Sequence, residues 1–167
     1  MPTNITGTES YIGAPGLTMG CWVRFGNAAG ALEYVMGKWS DAAGNRSYVI
    51  RRDVAGTITA AVSVDGTASV TATSTATPAA ATWTYLALRY VPSTSLSIFV
   101  YDIPVTNAVG IPASIYVGAS VFTIGAEGVF SAYSMTGRLS LCFLCAGALT
   151  VPTIKSVYHA TKNAFGV

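Results

Sequence analysis

Charge is what this chain has least of. Lys, Arg, Asp and Glu together make up 10% of its 167 residues, against roughly 25% in an ordinary soluble domain. Nine basic and seven acidic residues leave a net charge of +2, too little for a nucleic-acid footprint. The only basic neighbours that catch the eye are Arg51 and Arg52. In a strand they point to opposite faces and make no patch. With 51% of the residues apolar, the polar surface must come from Thr, Ser, Asn and backbone, or other chains must cover much of it. Composition leaves both readings open.

Long hydrophobic runs are missing too. The longest, Leu139 to Val151, is broken by Ser140, Gly147 and Thr150, short of the roughly 18 apolar residues of a membrane span. The opening M-P-T-N-I-T-G-T-E-S has neither a basic nor an apolar leader region, so no signal peptide is expected and synthesis in a cytoplasm is. On that expectation the sequons Asn4-Ile5-Thr6 and Asn45-Arg46-Ser47 read as chance matches. Three cysteines are an odd count, which argues against a disulfide framework. Cys142 and Cys145 have the C-x-x-C spacing of redox and zinc sites. In a strand, however, side chains three apart face opposite ways and cannot share one ion.

Helical periodicity is nearly absent, and alternation takes its place. Leu17, Met19, Cys21, Val23 and Phe25 occupy every second position of one run. Short strands begin at Tyr34 and Tyr48. Another, T-I-T-A-A-V-S-V, ends at the turn signal Asp65-Gly66. Trp83, Tyr85, Ala87 and Arg89 alternate with Thr84, Leu86, Leu88 and Tyr90, apolar on both faces and hence central to a sheet. Leu96, Ile98, Val100 and Asp102 alternate with Phe99 and Tyr101. Phe122 to Ile124 and Met135 to Cys145 add two more. The Thr-rich, low-complexity stretch before Trp83 reads as one edge strand plus a loop.

Roughly ten short strands between Gly, Pro, Asn and Asp turns predict an all-β antiparallel sandwich of jelly-roll type. Residues 11–167 are expected to form one domain, with 1–10 as an extended arm. One short helix is expected near the end. Thr150 suits its N-cap, Pro152 its first turn, and Ile154, Val157, Tyr158 and Thr161 its apolar stripe. Such a helix is expected on the sandwich rim.

The order of these motifs resembles the laminin-G-like, concanavalin A-like jelly-roll superfamily, from about Ser10 to Asn163. L-T-M-G-C-W-V-R-F stands for its early Trp strand, followed by Y-V-M-G-K-W-S-D and S-Y-V-I-R-R-D. T-W-T-Y-L-A-L-R-Y and L-S-I-F-V-Y-D-I follow in the middle. F-T-I-G-A, T-G-R-L-S-L-C-F-L, A-L-T and V-P-T-I-K-S-V-Y close the series. Two departures are Ser140 in place of the usual Asp, and Ile103-Pro104 in place of the Gly after Tyr101-Asp102; the second argues against a tight hairpin there. The resemblance implies that the closing strand pairs with the early Trp strand, which makes Cys21 a better neighbour for Cys142 or Cys145 than they are for each other. Along that strand, simple alternation puts Cys145 with Leu139, Leu141 and Phe143, and Cys142 with Arg138, Ser140 and Leu144.

Chemistry is sparse. Glycan-cleaving relatives resemble one another in an E-x-D-x-x-E strand, whose carboxylates flank the scissile bond. The acids here, Glu9, Glu33, Asp41, Asp53, Asp65, Asp102 and Glu127, contain no such motif, so no enzyme and no catalytic residue is expected. His159, the only histidine, has no acidic neighbour in sequence. Asp41, Asn45, Asp65 and Asp102 supply loop oxygens but too few carboxylates for calcium, so no metal or cofactor is expected. Trp39, Tyr48, Tyr101 and Tyr133 are the aromatics that would serve a sugar platform.

Two functional expectations follow. One is a non-catalytic structural protein that forms a homo-oligomer, a trimer in the favoured case, and decorates a bacteriophage capsid or other virion surface. Free-standing jelly rolls resemble such components, and a weakly charged chain gains from burying its faces and edges. The alternative is a carbohydrate-binding, lectin-like module. Neither nucleic acid nor membrane is expected as a partner.

Overall fold

The computed structural model describes residues 16–42, 44–128 and 133–167; the expected arm, 1–10, lies outside them. Ten strands run in chain order: β1 Leu17–Phe25, β2 Glu33–Trp39, β3 Arg46–Arg52, β4 Ile58–Ser63, β5 Ser69–Thr73, β6 Trp83–Val91, β7 Ser95–Val100, β8 Ile103–Asn107, β9 Phe122–Ile124 and β10 Gly137–Ala146. They form two five-stranded sheets, β10-β1-β6-β7-β8 and β5-β4-β3-β2-β9, with every neighbouring pair antiparallel. We call these the first and second sheets. β6 is the middle strand of the first, as its two apolar faces require, and β5 is an edge strand of the second.

The core lies between the sheets, where the alternating residues meet. Leu17, Met19, Cys21, Val23 and Phe25 from β1, and Leu86, Leu88 and Tyr90 from β6, face Ile50, Ile58, Ala60 and Val62 of the second sheet. All are buried. Period-two burial of this kind withdraws apolar area from water without disturbing the backbone ladder. The Arg pair splits as alternation demands. Arg52 turns inward to an ion pair with Glu33 and lies 4.1 Å from the centre of the Phe25 ring, while Arg51 turns outward to Asp53.

The helix α1, Val151–Thr161, starts where expected. Thr150 Oγ1 accepts from the Thr153 amide, and a proline sits in the first turn. Its position differs from the expected rim. α1 covers the outer face of the first sheet, where Ile154 is buried against Trp22, Tyr85, Ala87 and Phe99. Trp22 Nε1 donates to Thr161 Oγ1 at 2.9 Å, and Phe165 of the 3-10 turn Lys162–Phe165 stacks on Trp22 at 4.3 Å. The physical reason is the out-facing aromatic surface of β1 and β6, which must be buried somewhere.

Two further expectations are corrected at turns and edges. The tight hairpin does form after β7: Val100 pairs with Ile103 around a two-residue loop, Tyr101-Asp102. Tyr101 takes φ +59, the conformation usually given to Gly there. β8 then accommodates Pro104 because it is an edge strand, where a missing N–H costs no ladder bond.

In β10, simple alternation fails at a bulge. Gly20 pairs with Phe143 and Trp22 with Ser140, so Cys21 alone faces both Leu141 and Cys142. Leu141 takes φ +48 and is more than half exposed. The bulge resets the parity. Leu139, Cys142 and Leu144 pack on the core, while Phe143 joins the helix-covered face. Gly20 makes room for it, since a Cβ there would meet the Phe143 ring at 2.9 Å.

Candidate functional site

On the outer face of the second sheet, polar side chains from four neighbouring strands line up. Tyr34 of β2 stands directly opposite Arg51 of β3, Arg51 opposite Thr59 of β4, and Thr59 opposite Thr73 of β5. Directly paired residues share a face, so these four form one row across the strands. Asp53, just past β3, ties the row together. It accepts from Arg51 Nε at 3.1 Å and from Thr59 Oγ1, whose oxygen lies 2.9 Å from Thr73 Oγ1.

An aromatic edge borders this row. Tyr133 is 44% exposed, and its ring centre lies 5.9 Å from that of Tyr34. Tyr34 packs with Trp39, Val49 and Ala61 into an apolar cluster on the same face. Its hydroxyl is buried near Asp41 and Arg51. Burial above all, then the Asp41 carboxylate, pushes the phenol pKa up; Arg51 opposes the shift. The phenol therefore keeps its proton and remains a donor. Asp41 is held by Trp39 Nε1 at 3.1 Å, and the Arg46 guanidinium sits 5.8 Å from the Trp39 ring centre. Arg51 and Asp53 keep about a quarter of their side-chain surface exposed. Tyr34 and Thr59 are themselves buried, so what the arrangement offers to solvent is the Tyr133 ring, the Arg51 guanidinium, the Asp53 carboxylate and the Thr73 hydroxyl on a rigid sheet.

The other acids are occupied elsewhere. Glu33 pairs with Arg52. Glu127 is buried and accepts from Ser40 Oγ and the Asp41 amide at 3.2 and 2.9 Å. Asp65 accepts from the amides of Thr67 and Ala68 at 2.8 and 2.7 Å. Asp102 lies 3.5 Å from His159 Nε2, so the histidine without an acidic neighbour in sequence has one in space. Asp41 and Glu127 do come together, but Glu127 serves as a brace for the Ser40–Asp41 backbone. Of the calcium candidates, Asp65 caps its own turn and Asp102 lies on the first sheet's hairpin, so the four do not converge. Among the described residues, no group of three or more His, Cys, Asp or Glu could hold a metal ion. Among the same residues, no helix is long and apolar enough to cross a membrane.

The four aromatic candidates separate. Trp39 and Tyr48 are buried, Tyr101 is half-buried against the helix face, and only Tyr133 offers an exposed ring. Sequence reasoning missed Tyr34, Arg51, Thr59 and Thr73 as one row. The alternation of each strand was visible, but the register that aligns them depends on strand pairing. Glu9 lies outside the described residues.

Comparison with known proteins agrees with this architecture. Structures similar to the chain include the CBM40 of the Ruminococcus gnavus IT-sialidase, bound to α2,3 sialyllactose. It has a TM-score of 0.67 and 14% identity, with 85% of this chain and 82% of that one covered. Domain 4 of a GH43 extracellular arabinanase from Geobacillus stearothermophilus, in complex with arabinotriose, has a TM-score of 0.65 and 14% identity, with 91% and 69% covered. A heptameric SAP-like pentraxin from Limulus polyphemus has a TM-score of 0.65 and 13% identity, with 85% and 69% covered. Some matched structures are much longer, and the chain spans 35% of one of them. No curated protein matches. The profile described as the concanavalin A-like lectin/glucanases superfamily matches residues 4–155, and the chain belongs to that superfamily.

Proposed function

We propose that this protein is a non-catalytic carbohydrate-binding module whose glycan seat is the outer face of the second sheet. The observation that carries the reading is the accessible part of the row, Arg51 with Asp53 and Thr73, held in place by the buried Tyr34 and Thr59 and bordered by the exposed ring of Tyr133. A sugar presents apolar C–H faces and a rim of hydroxyls. An aromatic ring takes the first, and fixed polar side chains take the second. Arg51 and Asp53 already hold each other, so a pair of hydroxyls would meet a preset donor and acceptor with little reorganisation. The sialyllactose and arabinotriose complexes of the two similar structures support the reading at the level of the fold.

In this reading residues 11–167 make up the module and 1–10 an appended arm. Neither the row nor these neighbours adds support for virion decoration, which rests on composition and on the resemblance of free-standing jelly rolls. A heptameric relative does agree with a homo-oligomer.

A glycan array probed with the full chain tests the proposal, alongside Tyr133→Ala and Arg51→Ala. The expected result is binding to a defined glycan set, weakened at least about tenfold in each variant, a loss of roughly 1.4 kcal/mol. Binding to no glycan, or binding unchanged in both variants, overturns it. Solution mass separates the alternative, since a closed oligomer that ignores every glycan favours the assembly reading.

A further inference from the structure

The face of β10 turned to the core carries chemistry that the glycan-binding reading leaves unused. The bulge places Leu141 and Cys142 together opposite Cys21, and Cys142 packs on the core cluster that contains Cys21. Both thiols are free, Cys21 fully buried and Cys142 half-buried. Both side chains lie on the core side of the first sheet, in one apolar cluster. They lie at a bulge between adjacent antiparallel strands, whose regular partners stand roughly 4.5–5.5 Å apart at Cα, near the roughly 4.4–6.8 Å that a disulfide spans.

The structure assigns Cys21 and Cys142 as an oxidation site, a dithiol that closes to a cross-strand disulfide when a small-molecule disulfide such as oxidised glutathione reacts with it. Cys142 is the entry point because it is only partly buried, whereas Cys21 is fully buried. The Cys21 thiol beside it lowers its pKa to about 7, while Cys21 itself is raised by its Cys142 neighbour and by burial. A thiolate, not a thiol, attacks disulfides. The Cys142 thiolate attacks one glutathione sulfur, forms a mixed disulfide and expels one glutathione thiolate. Cys21 then gives up its proton and attacks the Cys142 sulfur, expelling the second glutathione. Two thiols are oxidised, one disulfide is reduced, and the protein loses two hydrogen atoms. Cys145 takes no part, because it faces the other side of β10 with Phe143 and pairs with Thr18 rather than Cys21.

The test is mass spectrometry of the reduced, folded full chain after exposure to excess oxidised glutathione, with non-reducing peptide mapping. The expected product has lost two hydrogens and carries a Cys21–Cys142 link. Cys145→Ser forms it unchanged, and Cys142→Ser loses it completely and leaves Cys21 unmodified. A stable glutathione adduct on Cys142 with Cys21 still reduced overturns the assignment. So does a link through Cys145, or no reaction at all. Mapping of the unsubstituted chain decides the matter even if Cys142→Ser does not fold.

Discussion

Arg52 and Glu33 stand directly across β3 and β2 from one another and form an ion pair inside the sandwich. Both side chains are at least nine-tenths buried, with 1% and 5% of their surface exposed. Arg52 Nη1 also donates to the Asn27 carbonyl at 3.0 Å, and Glu33 Oε1 accepts from the Thr136 amide at 3.0 Å. The pair thus ties two loops at one end of the core.

Removing one partner leaves the other charge buried and unpaired. Glu33→Ala or Arg52→Ala is expected to lower stability by about 3–5 kcal/mol, read from urea unfolding. The double replacement Glu33→Leu with Arg52→Met is expected to recover much of the loss, because it removes both desolvated charges. A single variant within about 0.5 kcal/mol of the parent would contradict this account.

The helix α1 is held by one fully buried aliphatic anchor, Ile154, over the Trp22 face. Ile154→Ala is expected to cost about 2–5 kcal/mol, the range for truncating a buried aliphatic side chain. Hydrogen exchange is the sharper readout. Amides of 155–161 are expected to lose protection before those of β6, since the helix adds to a sheet already sealed on its inner face.

Ser93 sits at φ +53 in the turn between β6 and β7, where the Thr94 amide donates to the Val91 carbonyl. Pro92 before it and the i to i+3 bond mark a type II turn, whose third residue favours Gly. A left-handed conformation costs a side-chain-bearing residue roughly 1–2 kcal/mol, and Gly gives back about 0.5–1 through its freer unfolded chain. Ser93→Gly is therefore expected to stabilise the fold by about 0.5–1 kcal/mol, visible as a raised thermal midpoint.

Asp65 has its pKa lowered from 3.8, first by the Thr67 amide and then by that of Ala68. A folded value below the unfolded one means that its contribution is fully present above about pH 4. That contribution is lost as pH falls through the lower folded value. Asp65→Ala is expected to reduce stability at neutral pH and to flatten the acid limb of the urea midpoint. An acid limb as steep as the parent's would show that other carboxylates govern it.

Much of the fold was legible because its signals are local. Thr150 and Pro152 announced the helix start through orphan amides and a preset φ. Asp65-Gly66 announced its turn, with Gly66 at φ +83. β8 was not legible, since Pro104 reads against a strand until the strand is known to be an edge. The β10 bulge was hidden as well. Its left-handed residue is Leu141 rather than Gly, so nothing in the string marks the change of parity. Of the candidate site, the sequence pointed to Tyr133 as an aromatic and to Asp41 and Asp53 as acids. It did not connect them.

What the sequence by itself determined is period. Alternation set which side chains of each strand travel together, and with them the all-β class. What only the tertiary structure decided is partnership. Arg51 and Arg52 are neighbours in the chain, yet one belongs to an exposed polar row and the other to a buried ion pair. Cys21 meets Cys142 across 120 residues. Register, bulges and the choice of which face a helix covers arise from contacts between distant segments. No local propensity encodes those contacts, because their free energy exists only once the two sheets have closed.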